Sequence, residues 1–320
     1  MATSQLTDRT RPLAPTAGQR RTTLWSRMRR ERWSYLFILP GALFFAVFAY
    51  LPLAGNVVAF QDFSPFRGIV GSTFVGLQNF AAIFTDPEVL TALGNTVLIS
   101  ALQIVFAFPA PIALALLLNS LISGRIQRLV QAVVYLPHFI SWVVVVAIWQ
   151  DVLGGDGVVN GLLTTIGVGP QHLMTDPSTF KALITGQVIW KEVGWGTIIF
   201  FAAISTISND LYESAAMDGA GAWRRMLHVT LPGIMPVIVL LLILRLGTVL
   251  TVGFEQLLLQ QGAVGKDAAQ VLDTFTYFRG VLGGDWGLAA AAGLFKGVVG
   301  TAMVIGANAV VKRLGAEGLF

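Results

Sequence analysis

The chain has no cysteine among its 320 residues and only three histidines. The first absence removes disulfides, thiolate nucleophiles and cysteine-ligated metals, and leaves the redox compartment unspecified. The second leaves His138, His172 and His228 on separate segments, without the spacing of metal ligands. Charge is scarce as well: Asp, Glu, Lys and Arg make up 12% of the residues, against roughly 25% in soluble globular chains. No G-x-x-x-x-G-K-[ST] is present, because Gly265-Lys266 is followed by Asp267 and lacks the upstream glycine. Nucleotide binding by a P-loop is therefore excluded. Neither H-E-x-x-H, G-x-S-x-G nor G-x-G-x-x-G occurs, so no catalytic constellation is visible and enzymatic activity is not expected.

What is present is apolar surface. Hydrophobic residues make up 55% of the chain and the mean hydropathy is +0.72, which makes this a membrane protein. Apolar runs lie near residues 34–60, 92–119, 129–153, 182–206, 233–259 and 287–311. Each is long enough to cross the roughly 30 Å of hydrocarbon that about 20 helical residues span. Helices are forced, since lipid offers no partner to a bare peptide group and the runs lack the alternation of barrel strands. The expectation is an all-α protein of six transmembrane helices, kinked at Pro40, Pro52, Pro109 and Pro111.

Residues 1–32 read as a basic tail leading into an interfacial helix over Leu24–Tyr35, residues 33–314 as the membrane domain, and 315–320 as a short tail. The net charge of +4 does not point to nucleic acid, because eight of the 21 basic residues precede the first apolar run. There they act as an orientation signal beside membrane lipid. Fourteen Lys and Arg fall on the two tails and the second and fourth loops, including Arg125, Arg128, Arg224, Arg225, Lys312 and Arg313. The alternate loops hold Arg67, Lys181, Lys266 and Arg279. Both termini and the 207–232 loop are thus expected in the cytoplasm of a bacterial cell, with the chain multi-pass in its plasma membrane. The loops on the other side (61–91, 154–181 and 260–286) combine aromatic, glycine and acidic residues, as a surface facing a soluble partner would, and as ordinary loop packing would also.

Lys191, Glu192, Arg245, Glu255 and Lys296 fall inside the proposed spans. Intramembrane charge is costly unless it meets a polar cavity or a partner, so these residues are candidates for a substrate pathway. Trp190, Trp195, Phe254 and Gln256 lie near them in sequence. Aromatic faces beside carboxylates and amides suit a sugar, whose C–H faces stack while its hydroxyls hydrogen-bond. The competing reading is a set of self-neutralising helix contacts. Lys191 and Glu192 are neighbours, point in different directions, and are expected to need other partners. Gly293 and Gly297 form a GxxxG, a spacing more typical of helix packing.

The segment Leu211–Pro236 is different in kind. Asn209 or Asp210 is placed to cap a helix, with Glu213 in the first turn and small residues Ser214, Ala215 and Ala216 keeping its surface flat. Gly219 and Gly221 turn the chain, and a second short helix is expected to close at Pro232. Glu213-Ser214-Ala215, then Asp218-Gly219-Ala220, then Val229-Thr230-Leu231-Pro232 resembles the EAA loop of ABC importer permeases. Ser214 and Val229 depart from that pattern by small, shape-tolerant changes. The likeness runs from about Trp33 to Leu314, through YLPLAGNVVAFQDFSPF, IWKEVGWGTIIFFAAIS, GFEQLLL and DTFTYFRG. These segments are similar to the branch of carbohydrate permeases that includes the LplB-type subunits for complex sugars.

That resemblance implies the type I ABC importer fold and an ATPase-coupling role for Glu213, Ser214, Ala215, Ala216, Asp218, Gly219, Ala220, Leu231 and Pro232. It also implies a second permease subunit, two ATPase subunits that bind the ATP and Mg, and an extracytoplasmic sugar-binding protein, with no cofactor in this chain and no nucleic acid. Oligosaccharide import by alternating access is the implied function. A secondary transporter would also have six spans and buried charges, but would need no docking motif. An inert scaffold would tolerate changes at Trp190, Lys191 and Glu255, and an ABC importer of a non-sugar solute would share the same loop.

Overall fold

The computed structural model describes residues 32–120, 124–315 and 318–319. The expected tail over residues 1–31, and with it most of the expected interfacial helix, lies outside them. The described residues contain six helical stretches long and apolar enough to cross a membrane: Arg32–Phe60, Pro87–Ser120, Trp142–Thr165, Pro177–Ser205, Ala222–Gly247 and Trp286–Arg313. The chain divides into two units, residues 1–55 and 56–320. The first holds helix α1 (Arg32–Phe45), which keeps Pro40 inside it, a π-helical turn over Ala46–Tyr50 and a short turn over Leu51–Ala54.

The second unit opens into a two-residue antiparallel pairing, Gln61 with Phe74 and Asp62 with Thr73, followed by α2 (Gln78–Ile83). Then come α3 (Pro87–Leu102), α4 (Pro109–Ser120), α5 (Gly124–Tyr135), α6 (Trp142–Leu153), α7 (Val158–Thr165) and α8 (Pro177–Ser205). They are followed by α9 (Asn209–Met217), α10 (Leu231–Gly247), α11 (Phe254–Val264) and α12 (Trp286–Arg313). The single 29-residue helix α8 packs along α4 and also meets α3, α5, α10 and α11. Asp86, Asp176 and Asp285 cap α3, α8 and α12, and Arg279 ties Asp86 (3.6 Å) to Asp285 (3.4 Å) and Glu88 (3.2 Å). At the opposite end Ala115, Phe200, Ile204 and Ile234 form a core where α4 and α8 finish and α10 begins.

Proline acts here by widening helices. Three π-helical turns, Ala46–Tyr50, Gln103–Ala107 and Met226–Thr230, each end two residues before a proline: Pro52, Pro109 and Pro232. A proline ring clashes with the carbonyl one turn earlier and donates no hydrogen bond, and one extra residue per turn relieves the clash. Hence Pro232 does not close a second short helix. The helical backbone runs from Ala222 through the widened turn into α10.

Two apolar runs are interrupted where continuous spans were expected. The run at 129–153 splits into amphipathic α5 and α6, separated by a 3-10 turn over Leu136–Phe139. The run at 233–259 ends at Gly247 and resumes at Phe254, after Gly253 adopts φ 102°, a conformation that favours glycine. The following 254–275 segment turns inward instead of forming an outer loop, so that Leu257, Leu272 and Phe275 are fully buried. Its open backbone is met by a polar ridge on α3 and the widened turn beyond it. Asn95 donates to the carbonyls of Asp267 and Gln270 (both 2.9 Å), Thr96 accepts from Leu272 N–H (2.9 Å), and Ser100 donates to Val249. Gln103 donates to Val252 (3.3 Å). These bonds fold the break into the protein, where lipid cannot reach it.

Lys296 on α12 forms an ion pair with Asp273, which anchors the inward segment to the last helix. Both side chains are mostly buried, at 14% and 20% exposure. We expect Lys296→Met to destabilise the folded protein by about 3–5 kcal/mol, the usual cost of orphaning one member of a buried pair. Adding Asp273→Asn should restore part of that loss, read as the coupling in a double-mutant cycle of thermal unfolding in detergent.

Candidate functional site

The intramembrane cations separate once their partners are seen. Lys191 Nζ donates to the carbonyls of His138 and Ile140 (2.7 Å each) and Pro137 (3.3 Å), lies 3.7 Å from Glu192 and sits 5.6 Å from the Trp142 ring centre. It therefore staples α8 to the open carbonyls where α5 ends, with cation and carbonyl dipoles aligned. One turn further on, a Cβ at Gly194 would collide with the Val134 carbonyl, so the two backbones meet directly. The sequence had suggested that Lys191 and Glu192 need partners other than each other, and each has one. Both reach the Pro137–Ile140 turn, because Glu192 Oε2 lies within hydrogen-bond distance of His138 Nδ1, at 2.7 Å. Lys296 is engaged by Asp273.

Glu192, Trp195 and Arg245 line one cavity of about 480 Å³ between α4, α8, α10 and the Gln103–Ala107 turn. Its other walls are mainly apolar, among them Pro111, Ile199, Leu241 and Leu244. His138 stacks parallel to Trp195 with ring centres 4.5 Å apart and an interplanar angle of 4°. This slab beside a carboxylate offers the combination that a saccharide ring uses, a flat face with hydrogen-bonding groups at its rim. Arg245 is held by Gln103 Oε1 at 2.5 Å.

The remaining pathway candidates lie elsewhere. Trp190 packs edge-on to Trp149, with centres 6.2 Å apart, outside the cavity lining. Phe254 meets Tyr277 edge-on at 5.5 Å, and Glu255 is exposed on the first turn of α11. Gln256 is fully buried in a glutamine cluster: its Nε2 donates to Gln187 Oε1 (2.7 Å) and the Ile184 carbonyl (3.0 Å), while Gln260 donates to Gln187 (3.0 Å). A Cβ added at either of the GxxxG glycines Gly293 and Gly297 would meet no neighbouring element within 4 Å. The close helix approach is instead made by Gly300 against Gly247.

A second feature projects from the other end of the unit. Helix α9 is capped by Ser208, whose Oγ accepts from Asp210 N–H at 3.2 Å, so the cap falls one residue before Asn209. Its C-terminus closes in a Schellman motif, with Ala220 N–H to Ala215 O (2.9 Å) and Gly219 N–H to Ala216 O (3.0 Å). Gly219 has φ 76° and open space around it, so glycine is required there for backbone conformation and not for room. Glu213, Ser214, Ala216 and Asp218 are exposed, and Met217 is 88% exposed, an apolar tip. Ala215, Ala220 and Leu231 are half-buried, while Pro232 is exposed in the first turn of α10. Tyr212 Oη and Thr230 Oγ1, 3.0 Å apart, tie α9 to the widened turn that feeds α10.

His138, Gln103 and Met217 escaped the sequence reading. His138 was weighed only as a metal ligand. Gln103 was one polar residue in a greasy run, and its phase with Asn95 and Ser100 on a single helical face was the available signal. Met217 sits inside the loop motif and was passed over for its charged neighbours.

A bundle of long apolar helices with a cavity at mid-depth and a capped, exposed helix at one end defines a membrane transport subunit. Residues 107–316 match the family described as the binding-protein-dependent transport system inner membrane component, and the chain belongs to that family. It is 42% identical to protein LplB of Bacillus subtilis over 294 residues, covering 92% of each chain. It is likewise 42% identical over 303 residues, 94% of each chain, to the polygalacturonan/rhamnogalacturonan transport system permease protein YteP of the same organism. Among solved structures it is similar to a chain of a bacterial alginate ABC transporter in complex with an alginate pentasaccharide-bound periplasmic protein. The TM-score there is 0.85 and the identity 36%, covering 92% of this chain and 99% of that one. The protein is thus an ABC importer permease with the type I fold, a multi-pass membrane transport subunit and not an enzyme.

Because Lys191 serves as a staple, Lys191→Met should lower stability by at least about 2 kcal/mol, the scale of one or two charged hydrogen bonds lost. Uptake per folded transporter should change little. Thermal unfolding and transport measured on the same preparation check this, and normal stability with lost uptake would return Lys191 to the pathway.

Proposed function

We propose that this chain is one of two different permease subunits of an importer that moves oligosaccharides into a bacterial cell, and that α9 is the helix through which an ATPase drives it. The observation that carries this reading is α9 itself, capped at both ends and exposed at Glu213, Ser214 and Ala216–Gly219. It is joined by Tyr212 and Thr230 to a continuous helix that enters the membrane domain. The loop bearing α9 lies in the cytoplasm on this reading, as do both termini, with Arg224, Arg225, Lys312 and Arg313 as the retained positive charges. The Asp86, Asp176 and Asp285 end faces outward, toward a solute-binding protein. Oligosaccharide as cargo is supported by the polysaccharide named for YteP, by the alginate pentasaccharide bound in the complex of the structural relative, and by the stacked His138–Trp195 face.

Transport then follows alternating access. ATP and Mg are bound by the partner ATPase pair, whose closure carries α9 inward. The displacement passes through the turn at 226–230 into α10 and, across the Ala115, Phe200 and Ile234 core, into α4 and α8. Those helices line the cavity, so its access changes side. The chain contributes a lever and part of a pathway and makes or breaks no bond.

Glu213→Lys should abolish transport-coupled ATP hydrolysis while the membrane domain remains folded. Gly219→Val should act similarly, since a left-handed backbone costs a side-chain-bearing residue roughly 1–2 kcal/mol and opens the α9 C-cap. The reconstituted importer with its solute-binding protein reads both effects, and wild-type coupled hydrolysis in either variant would remove α9 from the drive.

A further inference from the structure

Of Lys191, Arg245 and Lys296, the three cations placed away from the helix ends by the sequence, two are spent on the protein itself. Lys191 satisfies three carbonyls and Glu192, and Lys296 satisfies Asp273. Arg245 has neither arrangement. Among the described residues no carboxylate lies within ion-pair distance of its guanidinium. Its one side-chain hydrogen-bond partner among the described residues is the neutral oxygen of Gln103. That glutamine is itself oriented, because its Nε2 donates to the Val252 carbonyl at 3.3 Å and so turns Oε1 toward the arginine. The arrangement aims the guanidinium and leaves most of its five N–H donors for something else.

Arg245 lines the cavity of about 480 Å³ between α4, α8 and α10, whose walls are mainly apolar. A fixed cation without a counter-ion, at membrane depth and facing a half-open, mainly apolar cleft, raises the concentration of anions there. The cavity's one carboxylate does not cancel it, since Glu192 is turned to His138 at 2.7 Å and Lys191 at 3.7 Å. A planar fork of donors suits a carboxylate in bidentate geometry. Facing it along α8 is Trp195, stacked on His138, a surface for a sugar ring.

We propose that Arg245 is the anion-recognition residue of the pathway and that the saccharide this protein carries is acidic, an oligomer of uronate type. The inference rests on the oligosaccharide reading above; an acidic cargo accords with the polygalacturonan named for YteP and the alginate of the structural relative, and what the geometry adds is the residue that reads the acid group. Gln103 is the positioning residue that aims the guanidinium.

The absence of cysteine makes a direct test available, since Ile199→Cys places the only thiol of this subunit in the cavity wall. The complete importer carrying this variant, in phosphatidylcholine nanodiscs free of acidic lipid, is treated with an anionic sulfonate or a cationic trimethylammonium methanethiosulfonate. Modification of this subunit is followed by mass spectrometry. After normalisation to a free thiol, the anionic reagent should react faster, and Arg245→Gln in the same background should cut the anion-to-cation rate ratio about tenfold. Tetragalacturonate should protect the thiol and maltotetraose should not. A rate ratio unmoved by R245Q overturns the assignment. Equal protection by the neutral and acidic tetrasaccharides overturns the acidic cargo but leaves oligosaccharide import standing. Protection by neither, with the rate ratio still dependent on Arg245, overturns the cargo together with the oligosaccharide reading. If R245Q is not recovered, I199C alone decides, and an anionic reagent no faster than the cationic one overturns the proposal. With acidic lipid in the nanodisc the thiol should still be protected by tetragalacturonate; protection lost there, with the thiol slow to react before any saccharide is added, assigns the site to lipid headgroups and overturns the proposal.

Discussion

A peptide group in hydrocarbon has no water to fall back on, so a membrane chain that leaves the helix must supply its own partners. The structure depends on how this chain does so between Gly247 and Phe275. Asn95, Thr96, Ser100 and Gln103 lie along one stretch of helix and take up the open backbone of the break and of the inward segment beyond it. Without that ridge α10 would have to continue as a helix past Gly247. The inward segment would then be the outer loop that its Gly and Asp content suggests. Gln103 shows how closely architecture and site are joined, since the amide that closes the break on one side aims Arg245 on the other.

The same economy appears on α8. One 29-residue helix carries Gln187 for the buried amide cluster, Lys191 and Gly194 for docking onto the end of α5, and Glu192 and Trp195 for the cavity. Successive residues point about 100° apart, so structural and cavity-facing groups alternate along a continuous rod. Its far end lies in the core with Ala115 and Ile234, next to the turn that feeds α10, and Ser208 caps α9 three residues beyond it. A displacement at α9 therefore has a short, packed route to the cavity wall.

Much of this was legible. The helical class, the span count and the projecting loop followed from apolar run length, loop charge and the spacing of Glu213, Gly219 and Pro232. The prolines were recognised as disturbances, but their effect was a widened turn before Pro52, Pro109 and Pro232, with the helix continuing beyond. The candidate site was legible as a set of residue types and not as a site. Proximity in sequence grouped Trp190, Phe254, Glu255 and Gln256 with the buried charges, while the structure gathers Glu192, Trp195 and Arg245 and sends the others to a separate aromatic contact, an exposed helix end and an amide cluster. His138, remote in sequence, joins through the turn that Lys191 holds.

The sequence by itself determined the solvent, because no chain of this hydropathy can bury its apolar surface in water, and it determined the capped loop, because caps and glycine turns are set by neighbouring residues. Tertiary structure decided which charges are spent and which are available. That choice turns on contacts across 23 to 142 residues of chain, Lys191 to His138, Lys296 to Asp273 and Gln103 to Arg245 among them. A charge in the membrane is stabilised by whatever lies within a few ångströms of it, and helix packing alone sets that distance.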